Sequence, residues 1–189
     1  MRSGLAHFYF VTIHPFEDGN GRIARALTDM ALAQDEKLST RFYSLSSQIM
    51  EERKDYYDVL KKCQKGNGDV TSWLKWYLEC YTHAVEKAEK LIADVLDKAR
   101  FWQDHSQVQV SERQRKVVNR LLDAGKGGFS AGGGPASGWQ GGLTTRKYVS
   151  MAKVSRATAF REISELVENG FLVENSAKGR SVNYDLKWS

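Results

Sequence analysis

Nine residues near the start of the chain, His14-Pro15-Phe16-Glu17-Asp18-Gly19-Asn20-Gly21-Arg22, forbid any regular element from running through them. Proline has no amide to give a helix interior and turns the residue before it away from helical backbone, while Gly19 and Gly21 favour a tight turn. On one side, Leu5 to Ile13 is apolar nearly all round, the pattern of a helix buried in a bundle. On the other, Ile23, Ala26, Leu27, Met30 and Ala31 recur at helical spacing from Arg22 to about Gln34. The chain therefore begins as two helices meeting at one short turn, and its first part is mainly α.

That turn carries an imidazole, a carboxylate, a glycine-flanked amide and a guanidinium, a set few structural roles require. Glycines on both sides of Asn20 leave backbone N–H groups open to a ligand, and the helix that follows adds its positive dipole end, so the turn suits phosphate. Arg22 and Arg25 lie three apart on the first helical turn and share a face from which both reach successive phosphates. Two cations at a helix N-terminus oppose its dipole, a placement easier to understand with a polyanion bound. Asp18 offers an oxygen ligand for Mg²⁺, which takes one or two carboxylates together with substrate phosphates and water. His14, just outside the cradle, is the candidate general base for a hydroxyl attacking phosphorus. Singly, a His at a helix end and a Gly-Asn-Gly turn have ordinary structural explanations; their combination favours catalysis.

From His14 to Arg25 the sequence resembles, at every position, the motif H-P-F-x-[DE]-G-N-G-R-x-x-R of the Fic (filamentation-induced-by-cAMP) proteins. The resemblance implies an α-helical bundle that transfers AMP from ATP, with Mg²⁺, to a Ser, Thr or Tyr hydroxyl of a target protein, with pyrophosphate leaving. It makes His14 the base, Asp18 the magnesium ligand, Gly19, Asn20 and Gly21 the anion hole, and Arg22 and Arg25 the contacts to the distal phosphates. Asp55-Tyr56-Tyr57-Asp58-Val59-Leu60, followed by Gly68-Asp69-Val70, looks like the family's adenine-side helix, with Tyr57 and Leu60 flanking the base. Gln64 stands where the family usually has Asn, keeping an amide for adenine at a different reach. An aromatic and leucine face packed in a core is the alternative.

The likeness spans roughly residues 1–100. Fic domains carry several helices and a β-hairpin flap ahead of the motif, and 13 residues precede His14 here, so a partial Fic domain with weak or absent transfer is expected. The family's inhibitory pattern [ST]-x-x-x-E-[GN] has one literal match, Ser164 to Asn169, in which Glu168 would pair with Arg25. Leu166 and Val167 within it read better as core positions of a helix.

Further helices are expected from Ser44 to about Gln64 and from Thr71 through Trp102, joined by a turn at Lys65 to Asp69. Apolar periodicity lapses between Asp104 and Val110, and Ser111 with Gln114 forms a capping box ahead of Val117, Val118, Leu121 and Leu122. A domain boundary is placed there, giving a partial Fic domain over 1–104 and a second domain over 105–189. Gly-rich residues 125–142 cannot bury a core and read as a surface loop. Helices follow over Thr144 to Met151 and Ser155 to Asn169, the second with Phe160, Ile163, Leu166 and Val167 as its apolar stripe and Arg156, Thr158 and Arg161 opposite. Phe171 to Val173 and Val182 to Leu186 form a hairpin around Lys178-Gly179-Arg180. Three helices and a hairpin look like a winged helix-turn-helix, in which the second helix of the pair enters the DNA major groove and Lys178 and Arg180 rest on phosphates. Such domains also serve protein docking and dimerisation.

Charge sharpens the division. Residues 1–110 hold 15 Lys and Arg against 16 Asp and Glu, while residues 111–189 hold 13 against 7, so the whole basic excess lies in the last part of the chain. A phosphate backbone is one natural partner for it. Cys63 and Cys80 lack the spacing of a zinc or redox pair, and no apolar run approaches the roughly 18 residues of a membrane span. A cytoplasmic protein without membrane contact is expected. Two functions stay open: a protein adenylyltransferase carrying a DNA-binding or target-docking module, or a DNA-binding transcriptional regulator whose Fic remnant senses nucleotide or is inactive. Transfer of another phosphate-containing group, or removal of AMP, would fit the same turn, and a homodimer is compatible with each.

Overall fold

The computed structural model describes residues 1–38, 40–123, 142–175 and 182–188. Lys178 and Arg180, and all of the glycine-rich run except Gly142, lie outside the described residues. The helices are α1 (Arg2–Ile13), α2 (Asn20–Glu36), α3 (Leu45–Glu51), α4 (Arg53–Gln64), α5 (Thr71–Asp104), α6 (Glu112–Asp123), α7 (Thr145–Ala152) and α8 (Arg156–Glu168), followed by strands β1 (Leu172–Asn175) and β2 (Asn183–Leu186). The expected mainly helical chain closed by a hairpin is what forms. Among the described residues no helix is long and apolar enough to cross a membrane. Two compact units divide within α5, Met1–Leu91 and Ile92–Ser189. The lapse in periodicity after residue 104 marks where α5 ends, whereas its packing partners change earlier, since Phe101 already belongs to the second core.

In the first unit, α1 and α2 pack on each other and α1 also closes onto α5. Small residues make that approach possible: a Cβ on Gly4 would fall 2.8 Å from Cδ1 of Tyr77. Trp73 Nε1–H donates to the Gly4 carbonyl at 2.8 Å and the Tyr77 hydroxyl to Ser3 Oγ at 2.8 Å, so the polar groups of this buried seam are paired. Phe8, Leu45, Ile49, Tyr56, Leu60 and Trp73 fill the core beside it.

Three sequence expectations change here. Helix α1 is not buried all round; it buries Ser3, Gly4, His7 and Phe8 and leaves Tyr9 and Ile13 exposed. Helix α2 buries Ala31 of the expected stripe but otherwise turns inward Asn20, Ala24, Thr28 and Leu32 and leaves Ile23, Ala26 and Met30 exposed, because its face near α1 takes small and hydrogen-bonded side chains. The single helix expected from Ser44 to Gln64 breaks at Glu52 into α3 and α4. Glu52 accepts hydrogen bonds from Gln48 Nε2 at 2.7 Å and from His83 Nδ1 at 2.8 Å, which anchors the break to α5.

The second unit is built on α6, α7 and α8 around Phe101, Val117, Tyr148, Ile163, Leu166 and Phe171. The capping box at α6 is present in both directions: Ser111 N–H donates to Gln114 Oε1 at 2.8 Å, and Gln114 N–H to Ser111 Oγ at 3.2 Å. Thr144 and Ser155 cap α7 and α8 through the N–H groups of Lys147 and Thr158. Gly170, at φ 79°, ends α8, with Phe171 N–H returning to the Leu166 carbonyl at 2.9 Å. Strands β1 and β2 pair antiparallel with Leu172 opposite Leu186, and Leu143 adds a bridge to Tyr184 through two bonds of 2.7 and 2.8 Å. The order is thus helix, bridge, helix, helix and hairpin.

Two positions on α8 depart from the expected stripe. Phe160 is 61% exposed, and the buried line runs through Ala159, Ile163 and Leu166 at spacings of four and three, one residue out of phase with it. Glu162, a charged residue, is buried on that inner side. Its carboxylate accepts from the Tyr148 hydroxyl at 2.7 Å and from Arg113 Nη2 at 2.8 Å, tying α6, α7 and α8 together.

Candidate active site

Helix α1 ends at His14, whose backbone is left-handed at φ 52° and ψ 57° while its N–H still bonds to the Phe10 carbonyl at 3.0 Å. Pro15 allows no further helix, so the imidazole is set down at the rim of the turn. Gly19 caps α2 at φ 84°, a conformation side chains disfavour, and its carbonyl receives Ile23 N–H at 3.0 Å. Asn20 is only 3% exposed. Its Oδ1 accepts Phe16 N–H at 3.1 Å, its Nδ2 donates to the Phe16 carbonyl, and the same Nδ2 lies 3.3 Å from each ring nitrogen of His14. One amide side chain therefore closes the turn and contacts the candidate base.

A hollow of about 260 Å³ opens on this turn, lined by His14, Asp18, Gly19, Asn20, Gly21, Arg22 and Arg25, with Glu17 in addition. All seven residues assigned to the motif are brought together. Glu17 went unassigned because the pattern leaves its position free; only its place beside Asp18 pointed to it. The glycines keep backbone exposed beside cations: a Cβ on Gly19 would stand 3.5 Å from Arg22 Nη2, and one on Gly21 3.6 Å from Arg25 Nη1. Arg22 Nη2 meets Asp18 Oδ2 at 3.1 Å, a surface pair with the Asp18 side chain 93% exposed, which holds little energy.

Arg25 is half-buried and its charge reaches inward. His7 is pushed down to about 4, first by burial and then by the Arg25 guanidinium, so it is a neutral core imidazole. Its Nδ1 pairs with Thr28 Oγ1 at 3.0 Å and its Nε2 with the Tyr56 hydroxyl at 3.1 Å, joining α1, α2 and α4. Burial also raises Tyr56, to about 12. Nothing in the apolar run around His7 points to this role, because its partners Thr28 and Tyr56 lie far along the chain.

Tyr57, Leu60 and Gln64 do not line the hollow. Tyr57 is exposed, with the Arg53 guanidinium 5.6 Å from its ring centre, whereas Leu60 is buried in the core. Gln64 Nε2 donates to Thr12 Oγ1 at 3.2 Å, which places the end of α4 beside the last turn of α1. In the second unit Arg156 and Arg161 are exposed on α8, Thr158 bonds to its cap Ser155, and Arg161 Nε lies 3.8 Å from Glu165. Within the literal match to the inhibitory pattern, Leu166 is fully buried and Glu168 is exposed.

Among the described residues no three His, Cys, Asp or Glu side chains cluster to hold a metal by themselves. The donor set fits Mg²⁺ in another way: Asp18 supplies one hard oxygen next to a cationic cradle, and a nucleotide's phosphates would bring the others.

Residues 1–32 match the family model described as the Fic/DOC family. A protein adenylyltransferase Fic from Nematostella vectensis is 33% identical over 86 residues, which is 44% of this chain and 18% of that protein. The alignment thus covers less than a fifth of that relative's length.

Proposed function

We propose that the first unit of this chain, whose residues 1–32 match the Fic/DOC family model, binds ATP with Mg²⁺ and transfers AMP to a Ser, Thr or Tyr hydroxyl of a target protein. The observation that carries the proposal is the single hollow shared by an imidazole, a carboxylate, two glycines and both guanidinium groups. In the reaction the target hydroxyl oxygen attacks the α-phosphorus and its proton passes to His14. The bond from that phosphorus to the bridging oxygen of the β-phosphate breaks, and pyrophosphate leaves. Arg22 and Arg25 hold the departing charge, while the N–H groups around Gly19 to Gly21 face the developing negative oxygen. Asp18 would hold a magnesium ion, which when bound would neutralise charge on the phosphates. Tyr57, exposed on α4, and Gln64, beside the last turn of α1, are proposed to meet the adenine end, and Leu60 to support them from the core.

The test uses ATP labelled at the α- or γ-phosphate, incubated with the chain and candidate target proteins. Label retained on protein from α but not from γ is expected. His14→Ala should abolish that transfer and spare ATP binding, whereas Arg25→Ala should weaken ATP binding itself. Equal transfer by His14→Ala would end the mechanism, and label in neither case would leave nucleotide sensing as the role of the turn.

For the second unit we propose a winged helix-turn-helix that binds duplex DNA. Supporting it, α7 and α8 are separated by three residues, with Lys153 left-handed at φ 54°, and α8 turns Arg156 and Arg161 outward. Lys178 and Arg180, which fall between β1 and β2 in sequence, are proposed to rest on phosphates.

A further inference from the structure

We propose that Phe160 is the sequence-reading residue of the second unit, making an apolar contact with the 5-methyl group of thymine in the major groove. The inference rests on the DNA-binding reading of that unit and adds a specificity element to it. Phe160 is 61% exposed on a helix whose core is complete without it, since Ala159, Ile163 and Leu166 are each within 1% of full burial. A phenylalanine stabilises a fold by being buried, so folding alone gives no reason to keep one here.

Its surroundings name the partner. Arg156 stands one turn before it on the same face, Ala157 and Arg161 border it, and all three are exposed. No acidic residue occurs on α8 before Glu162, which is buried, so the first two turns present an apolar ring bracketed by cations. Residues 111–189 carry 13 basic against 7 acidic residues, which favours a polyanion over a protein or an apolar surface. The major groove shows one apolar group among its hydrogen-bonding edges, the thymine methyl, and it lies between two phosphate strands within reach of arginines on such a helix. Small Ala157 leaves space beside the ring for the base edge.

The experiment uses the full chain. Duplexes are selected from a randomised pool, and the preferred one is resynthesised with deoxyuridine replacing each thymidine in turn, which deletes only the methyl. At one or two positions the wild-type chain should lose about fourfold in affinity, the equivalent of ~0.8 kcal/mol for one methyl-sized group. Phe160→Ala should bind both duplexes equally, and Phe160→Leu should retain part of the discrimination. Arg156→Gln combined with Arg161→Gln should weaken binding to every sequence and flatten its salt dependence. If no duplex is selected, or binding ignores salt, the DNA reading itself falls and this inference falls with it. If binding follows salt and the arginines while uracil costs nothing, or Phe160→Ala still discriminates, the assignment of Phe160 is wrong and the DNA reading stands. A lower sedimentation mass for Phe160→Ala would make the ring a self-association contact and overturn the proposal.

Discussion

Acidification should weaken the first unit through His7 before its carboxylates protonate. Thr28 spends its hydroxyl hydrogen on the Ala24 carbonyl at 2.8 Å, so its oxygen accepts from Nδ1–H of His7, and Nε2 of the same ring accepts from the Tyr56 hydroxyl. A second proton would oppose the Tyr56 hydrogen and add a cation near Arg25, in a site out of reach of water. With the ordinary value at 6.5 and the folded value at about 4, the unfolded chain takes up its proton first as pH falls. The stabilisation is therefore complete above 6.5, declines between 6.5 and 4, and is gone below 4. Its full size is about 3 kcal/mol, of which about 2 kcal/mol is lost by pH 5. Urea titrations at pH 7 and pH 5, read by pulsed hydrogen exchange in α1 and α2 peptides, follow this unit by itself. His7→Gln keeps an amide for both partners and cannot titrate in this range, so its pH dependence should be shallower by that amount. Parallel curves for the two proteins would refute the reasoning.

Gly4→Ala should destabilise the first unit by about 1–3 kcal/mol, because the new methyl meets the ring of Tyr77 rather than a flexible chain end. Exchange protection of α1 is the readout, and unchanged protection would contradict the close seam. Tyr148→Phe removes a donor to buried Glu162 and should cost the second unit about 1–3 kcal/mol, measured as a shift in its urea midpoint. The labelled-ATP assay of His14→Ala and Arg25→Ala, and the thymine-to-uracil comparison for Phe160, test the two proposed functions directly.

The turn from His14 to Arg25 was legible because its chemistry is local: proline, glycines and caps dictate backbone within a few residues, and the side chains that matter are neighbours in sequence. The same holds for the Ser111–Gln114 box. What the sequence hid depends on partners far along the chain. His7 looks like an interruption in an apolar run until Thr28 and Tyr56 are beside it. Glu162 looks like a surface charge until Tyr148 and Arg113 reach it, and assigning Phe160 to the core followed from treating it as the apolar residue of that turn. On α2 the apolar pattern caught Ala31 and missed Ala24 and Thr28, the residues a close helix pair admits. Leu60 illustrates the mixed case: its helix was found, while its burial separates it from the residues that line the hollow.

Asn20 holds the Phe16 backbone by both its amide nitrogen and its carbonyl. One buried side chain therefore works as the buckle of the loop, tying its two ends where proline and glycine alone would leave them slack. Asn20→Ala should accordingly be felt less as a missing contact than as a loop left unfastened.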